Sequence, residues 1–553
     1  VVCLKFISAL KIIVYALMTA FLLLYLFIAV PNLNPMYASG AFFWAMLITV
    51  NIVIWALFKF GEFTYSSFGS KADISYVPKR KFPIAVKILA VAPWAFFAAM
   101  MFISSPIISW KQYRDQLGVP EKNKFTSDIQ AIDISQIPIV DISLAQKLAD
   151  KELGTIPSLG SQVVLGEPTI QMVDGKLVWA VPLYHSGIFK WLTNMSGTPG
   201  YVLVSATNVN DVKYVDGFKV KYQPNSFFFD DLTRYVRFKG NFFKGLTDYS
   251  FELDDSGQPY WVISTYKNTR GFSLEEATGV ITVNATTGEL NEYPINEIPS
   301  WVDRVQPASF ITNQINNSGE YVKGIFNFAD SEKFQTSEGY AIVYNNGRCF
   351  YFTGLTSVGA DESAIGFMLV DMVTKKPYLY QMSGATEYSA QNSAMGKVQH
   401  LGYTASFPLV ININDIPTYF MTLKDREGLI KQYAFVSVAN YSIVGTGENI
   451  QSALKNYQEN LRYDNSSQSI GKPIEKTAVS GTVLRIASET IQDETVYKII
   501  LSEEQNKIFI VAAQLSQELA LTVAGDSVAI EYEKTGSPIA NATSFYNLQF
   551  SQK

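Results

Sequence analysis

Three long apolar runs occupy the first 110 residues, and the rest of the chain alternates short apolar runs with polar turns. The run from Ile12 to Val30 contains no charged residue, Gly or Pro, and the runs Ala41–Phe58 and Ile88–Trp110 have similar lengths. About 20 apolar residues, rising about 1.5 Å each, cross a hydrocarbon core of roughly 30 Å. The pattern therefore predicts a membrane anchor of three transmembrane helices within residues 1–110.

The charges between these runs predict an orientation. The connector Pro31–Gly40 has no charge, whereas the connector after the second run is basic and contains Lys59, Lys71, Lys79, Arg80, Lys81 and Lys87. Basic loops remain on the cytoplasmic side. We expect a cytoplasmic N-terminus and a large extracytoplasmic C-terminal region. A cleaved signal peptide is the alternative for the first run, but this run exceeds the usual apolar length and no small-x-small site follows it.

Beyond the anchor, one kind of turn recurs between strand-like runs. Asp-Gly and Asn-Gly turns between apolar runs are strong hairpin signals, and they fall at Asp174-Gly175, Asp254–Gly257, Asn345–Gly347 and Asp425–Gly428. Strands beginning at Gly200, Gly279 and Gly366 align without a gap. A lone hairpin cannot bury its apolar face. The repetition predicts antiparallel sheets covered by helices at 142–153, 226–239 and 449–461, in an α+β fold.

The last part of the chain changes in character. A polar linker at 462–477 precedes four closely spaced strand-like runs within 478–553. Such spacing predicts a small closed β-barrel of the OB or SH3 type. The predicted domains are an anchor at 1–110, modules at 111–225, 226–330 and 331–461 (the third with an additional hairpin), the linker, and the barrel.

The module sequences resemble a known class of domain. An Ala-containing helix followed by YVLVSATN and VITVNATTGELNEY resembles PepSY-type domains, and residues 10–460 also look like a family of uncharacterised multi-span membrane proteins of Gram-positive bacteria. The resemblance implies a bacterial cytoplasmic membrane location and sheet-plus-helix modules. It also implies an alternative function, inhibition of a membrane or secreted peptidase or a cell-wall hydrolase.

The sequence offers little chemistry for an enzyme. The two histidines, His185 and His400, stand outside any metal-ligand spacing, and no Gly-x-Ser-x-Gly motif is present. We therefore expect no catalytic residue, no metal and no cofactor; an enzyme built around either histidine is the least favoured alternative. The net charge of −5 without a sustained basic block argues against a nucleic-acid partner.

An aromatic segment is the candidate interaction surface. It contains Phe227, Phe228, Phe229, Phe242 and Phe243. These rings are too crowded for one face of a short helix, and large exposed apolar patches are rare on monomers. Core packing is one explanation; the hypothesis is an intermolecular contact. The predicted function is a membrane-anchored scaffold that touches lipid and binds a protein partner or copies of itself.

Overall fold

The fold is described from a computed structural model of the chain. The structure describes residues 2–68, 71–123, 125, 137–157, 159–345, 347–358, 364–463, 476–491, 494–533 and 539–550. The chain forms two compact units: one contains the apolar helices and the first three sheets, and the other contains the fourth sheet and the C-terminal strands.

The N-terminal region contains the helices α1 (Val2–Ile28), α2 (Ala38–Phe60), α3 (Ile84–Ile103) and α4 (Pro106–Asp115). The segments Ala9–Ile28, Ala38–Phe60 and Ile84–Ile103 are long and apolar enough to cross a membrane. The prediction of three such helices is confirmed. A hairpin of β1 (Gly61–Phe68) and β2 (Lys71–Pro78) joins α2 to α3.

The third apolar helix ends earlier than its apolar run. The Ser105 hydroxyl accepts a hydrogen bond from the Ile107 N–H, and Pro106 opens α4 at its first position. Proline is preorganised for the first turn of a helix but has no N–H to continue the preceding one. The run to Trp110 is therefore two helices.

Four antiparallel sheets follow. The first contains β4 (Val163–Leu165), β5 (Thr169–Val173), β6 (Lys176–His185), β7 (Thr198–Ser205) and β8 (Val212–Val220), and the second contains β9 (Gly245–Leu253), β10 (Pro259–Arg270), β11 (Ser273–Asn284) and β12 (Leu290–Pro294). The third contains β13 (Phe334–Thr336), β14 (Ala341–Asn345), β15 (Arg348–Ser357), β16 (Ala364–Asp371) and β17 (Pro377–Gly384), with β3 (Glu121–Asn123) parallel to β17. The fourth contains β18 (Thr404–Ala405), β19 (Leu409–Ile413), β20 (Ile416–Lys424), β21 (Ile430–Ser437) and β22 (Val444–Gly447).

The same strand order recurs in these sheets. Each sheet has four strand positions, and neighbouring positions follow the order of the chain. In the first, third and fourth sheets the first position is filled by two short strands, which both pair with the strand at the second position. The four predicted turns join adjacent antiparallel strands, with partners Val173↔Lys176, Leu253↔Pro259, Asn345↔Arg348 and Lys424↔Ile430. These turn predictions are confirmed. Residues 331–461, predicted as one module, contain both the third and the fourth sheet.

The three aligned glycines occupy equivalent positions in β7, β11 and β16. Each has a positive φ: +70° at Gly200, +154° at Gly279 and +150° at Gly366. A Cβ at these positions would lie 1.7, 2.1 and 2.3 Å, respectively, from a carbonyl oxygen of the next strand. Only glycine tolerates both the backbone angle and the close approach. The alignment seen in the sequence therefore has a common physical cause.

A second repeated feature ties each of the first three sheets to the chain that leads into it. In each of these sheets, the carbonyl of the residue just after the strand at the third position accepts two consecutive backbone N–H groups. The Ala206 carbonyl accepts from Ile139 and Val140, the Ala285 carbonyl from Lys221 and Tyr222, and the Met372 carbonyl from Val305 and Gln306. These donors precede the segment that covers the same sheet. The sheets are thus repeats of one supersecondary unit.

The covering helices are α5 (Ile142–Gly154), α7 (Leu232–Val236), α8 (Ala308–Glu320), α9 (Glu387–Lys397) and α10 (Ile450–Tyr463); a short α6 (Ile188–Thr193) lies between β6 and β7. The predicted helices at 142–153 and 449–461 are confirmed by α5 and α10. A continuous helix over 226–239 is wrong. Phe228 has a φ of +48°, and Asp231 has an extended ψ of 121°, so the α-helical path is interrupted within this range.

The C-terminal strands are β23 (Lys476–Ile491), β24 (Glu494–Leu501), β25 (Ile508–Ala512), β26 (Ser527–Glu533) and β27 (Ile539–Asn547). Each pairs with two others in the order β23-β24-β25-β27-β26, and β26 returns to β23, so the pairing closes into a ring. The core of the ring contains the buried side chains of Val483, Ile499, Phe509, Ile530 and Phe545. Of the predicted linker at 462–477, residues 464–475 lie outside the described residues, whereas 462–463 end α10 and 476–477 begin β23.

Candidate functional site at the ends of the apolar helices

The connector between α1 and α2 binds the start of the second sheet. Asn32 Nδ2 donates to the Lys244 carbonyl at 3.1 Å, and Asn34 Nδ2 donates to the Phe243 carbonyl at 2.9 Å. Between them, the Leu33 N–H donates to the Phe242 carbonyl at 2.8 Å. Three consecutive carbonyls are therefore held by three consecutive connector residues, which fixes this loop against the sheet.

Tyr37 adds a buried contact just before α2. Its hydroxyl donates to the Tyr266 carbonyl on β10 and accepts the Gly245 N–H of β9 at 3.2 Å. The Tyr37 and Tyr266 rings meet edge to face at 5.4 Å. One hydroxyl thus satisfies two backbone groups where β9 begins, and a buried backbone group left without a partner is costly.

The end of α3 meets the hairpin between β10 and β11. Ser104 Oγ accepts the Phe272 N–H at 2.7 Å and donates to the Met100 carbonyl at 2.8 Å. Gly271 has a φ of +55°, and a Cβ there would lie 2.4 Å from the same carbonyl. The Phe272 ring packs against Ala41, Met100 and Phe97. The hairpin tip is therefore shaped to fit the helix end.

Arg234 of α7 caps the end of α1. Its Nε donates to the Phe27 carbonyl at 2.7 Å, and the guanidinium lies 4.6 Å from the centre of the Phe27 ring. The last carbonyls of a helix lack intrahelical donors, and a cation is favoured there. We define the helix-end face as the residues in and around the second sheet that contact the α1–α2 connector, Phe27 or Ser104, together with Phe27 itself.

The helix-end face includes the predicted aromatic segment. The Phe228 and Phe229 rings lie 6.5 and 5.6 Å from the Phe27 ring. Phe227 contacts Trp191 at 5.7 Å, and Phe242 contacts Phe238 at 5.1 Å. Phe243 is exposed, and its carbonyl accepts from Asn34 Nδ2. The structure thus places Phe228 and Phe229 against Phe27 at the end of α1. The α1–α2 connector binds the carbonyls of Phe242 and Phe243, and Phe227 packs on Trp191.

Sequence reasoning missed three members of this face. Phe27 lies 6.3 Å from Phe238, and Arg234 closes the same cluster. Phe27 is hidden in the sequence because it belongs to an apolar run. The signal that points to Arg234 is its place, with Arg237 and Lys239, among clustered aromatic residues, a composition that favours cation–π contacts.

Away from this face, buried polar groups join the first three sheets. The Ser250 hydroxyl donates to Glu252 Oε1 at 2.6 Å, and the Asp303 N–H donates to Glu252 Oε2 at 3.2 Å. Asp303 Oδ2 accepts from the Met172 N–H at 3.1 Å and the Tyr344 hydroxyl at 2.9 Å. Burial raises the pKa of Glu252 to about 7, although the charge of Arg304 opposes the shift. This cluster stabilises the contact between sheets.

A cavity of about 210 Å³ adjoins this cluster and is lined by Asp303, Arg348, Cys349 and Asp371 among others. Asp371 Oδ1 accepts the N–H groups of Val373 and Thr374, which makes it a turn-stabilising residue. Burial raises the pKa of the Cys349 thiol. Since the thiolate is the reactive form, this cysteine is a weak nucleophile.

His185 belongs to the first unit and His400 to the second. His185 Nε2 lies 3.0 Å from the Asn194 carbonyl, and burial lowers the pKa of His185. His400 is in a short 3-10 turn, Gln399–Leu401. Within the described residues, no group of three or more His, Cys, Asp and Glu side chains has the arrangement of a metal site.

Comparison with known proteins adds no family. No model of a protein family matches the chain, and no curated protein sequence matches it. A function for the chain therefore depends on the geometry of its own residues.

Proposed function

We propose that the chain is a membrane-anchored, extracytoplasmic scaffold that binds a protein partner or copies of itself through its repeated sheets. The observation that carries the proposal is the attachment of the second sheet to the ends of the apolar helices, through Asn32–Asn34, Tyr37 and Ser104. Such an attachment holds the three similar sheets of the first unit at the membrane surface. Several similar units on one anchor offer multivalent contact.

The arrangement of the helices supports the orientation. The end of α1, the start of α2 and the end of α3 all meet the second sheet, whereas the β1–β2 hairpin joins the other ends of α2 and α3. This hairpin region carries the basic residues Lys71, Lys79 and Arg80. The positive-inside rule then favours a cytoplasmic hairpin and extracytoplasmic sheets.

The strand orders support the finer assignments of fold. A helical segment followed by four antiparallel strands in chain order is compatible with PepSY-like modules. In the C-terminal ring, the third strand pairs in parallel with the fifth. The ring order β23-β24-β25-β27-β26 favours the OB type over the SH3 type for this domain. OB folds support many binding roles, so the domain adds a docking surface rather than a chemistry.

Two measurements on intact cells and solubilised protein test the proposal. A membrane-impermeant maleimide should label Glu297→Cys, an exposed residue beyond the second sheet, but not Arg80→Cys, both in a Cys3→Ser background. Labelling of Arg80→Cys alone would refute the orientation. Purification of the full chain in mild detergent, followed by native mass measurement, should show a stoichiometric assembly with itself or with a partner.

The identity of the co-purifying protein separates the scaffold from the alternative. A non-enzymatic partner or a homo-oligomer supports a scaffold. If a peptidase or cell-wall hydrolase co-purifies in stoichiometric amount and is less active when bound, the chain is a regulator of that enzyme and not a scaffold. A monomer without any partner, under conditions that keep the membrane complex intact, would refute both.

A further inference from the structure

An exposed apolar patch extends the helix-end face. It combines one side of the short helix α6 with rings from the aromatic segment, and its members are Ile188, Phe189, Leu192, Phe228 and Phe229. Phe189 is 79% exposed, and Phe228 and Phe229 are 56% and 51% exposed. Side chains of this size are seldom left together in water.

The patch is rigidly built. Trp191 is the buried residue of α6, and its indole N–H donates to Asp230 Oδ2 at 2.8 Å. The Trp191 ring stacks on Phe228 at 5.6 Å. Phe189 and Leu192 therefore project from a helix that is held in place on its inner side by Trp191.

The patch is also continuous with the end of α1. Phe228 and Phe229 contact Phe27, which is the penultimate residue of that helix. If α1 crosses a bilayer, Phe27 lies where the hydrocarbon meets the headgroups, and rings in contact with it lie at the same level. Aromatic side chains are enriched at this depth. Ile28 beside Phe27 is also exposed.

We propose that this patch dips into the surface of the lipid bilayer, as an interfacial anchor additional to the three helices. The proposal rests on the membrane location given under Proposed function. An amphipathic surface of this kind inserts about 5–10 Å into the boundary between headgroups and acyl chains. With the three helices and the patch both inserted, the tilt of the first two modules relative to the membrane would be fixed.

The charges beside the patch suit a lipid surface. Lys190 on α6 and Lys239 after α7 are both exposed. Long basic side chains place their apolar stems along the hydrocarbon and their ammonium groups among phosphates. Asp230 accepts from the Trp191 indole N–H and lies 3.9 Å from Lys221 Nζ, so this carboxylate has partners within the protein. The lipid chemistry expected at the patch is therefore a phosphate headgroup above the upper acyl chain.

Depth-dependent quenching tests the proposal on the full chain. Single cysteines replace Phe189 and, as controls, Phe21 of α1 and Asp255 in the turn after β9, all in a Cys3→Ser background. Each is labelled with an environment-sensitive dye, and the protein is reconstituted in nanodiscs. Asp255 serves as the outside control. Tyr266 of β10 contacts Tyr37 just before α2, and Pro259, at the opposite end of the strand, lies about 23 Å from Tyr266 along it. The turn that contains Asp255 immediately precedes Pro259.

The dye at 189 should lose fluorescence to nitroxide lipids, with a quencher near the top of the acyl chain acting more strongly than one near its end. The dye at 255 should keep its fluorescence. If 21 is quenched and 189 is not, the interfacial patch is refuted while the membrane location stands. If neither is quenched, the membrane location itself fails.

A second copy of the chain is the competing occupant of the patch. Diluting labelled with unlabelled protein at constant lipid composition separates the two. Fluorescence at 189 that depends on the labelled fraction, and not on the nitroxide, would overturn the lipid assignment. Fluorescence that depends on the nitroxide alone supports it. The protein without an introduced cysteine checks that buried Cys349 takes up no dye.

Discussion

The buried carboxyl of Glu252 should make the stability of the first unit depend on pH. Glu252 lies in β9 and is 0% exposed, and burial raises its pKa from 4.5 to about 7. A shift of this size corresponds to about 3 kcal/mol of differential stabilisation of the protonated form. Replacement by Gln keeps the size of the side chain and removes the titration.

The sign follows from the direction of the shift. Because the pKa of Glu252 is higher in the folded than in the unfolded chain, the folded state holds the proton more tightly. The stabilisation is fully present below a pH of about 4.5 and is lost as pH rises through about 7. The free energy of unfolding of the native chain relative to Glu252→Gln should therefore fall by about 3 kcal/mol between these limits.

Pulse proteolysis of the full chain in urea measures this difference. Quantifying a peptide from β9 and β10 by mass spectrometry at several pH values reports on the second sheet. Glu297→Gln, at an exposed glutamate of the same unit, is the matched control and should track the native chain at every pH. A gap between native and Glu252→Gln stability that stays constant with pH would refute the reasoning.

Three other predictions concern single residues. Gly279→Ala should lower the free energy of unfolding by at least about 2 kcal/mol in urea titrations, because the Cβ meets a carbonyl at 2.1 Å, whereas Gly217→Ala, with open space around it, should change little. Tyr457→Phe should cost the second unit about 1 kcal/mol, since its buried hydroxyl loses a hydrogen bond of 2.9 Å to β20; protease resistance of the fourth sheet measures it. Cys349, in a Cys3→Ser chain, should resist maleimide in native buffer and react fully in urea; rapid native labelling would show that the thiol is not buried.

The features that sequence reasoning recovered are those set by neighbours in the chain. Asp174-Gly175 forms a tight hairpin because both residues accept positive φ, +48° and +72°. Asp141 is the N-cap of the helix α5, and its side chain accepts the Leu144 N–H. Apolar run length alone located α1, α2 and α3. Each signal lies within a few residues of the structure that it predicts.

Features that depend on distant residues were not predictable in this way. The helix α8 buries Ile311 and Ile315 against the third sheet, but Gln314 and Gly319 are buried with them, so which of its polar positions face the core is set by the fold. The Glu252 cluster needs a partner at Asp303, which is brought near only by the fold. The aromatic segment was recognised as unusual, but its neighbour Phe27 comes from a helix 200 residues earlier in the chain.

The repeats of the first unit are coupled by buried polar groups rather than by apolar contact alone. The fully buried Gln171 amide donates to the Leu253 carbonyl at 2.7 Å and accepts the Leu253 N–H at 2.8 Å, so the first sheet satisfies the backbone of the second. Asp303 then joins Met172 to Tyr344 of the third sheet. Sliding one sheet past another would leave these groups unpaired in the interior, and that cost opposes independent motion. Since the second sheet is also hydrogen-bonded to the ends of the apolar helices, the first and third sheets are linked to those helices through defined bonds.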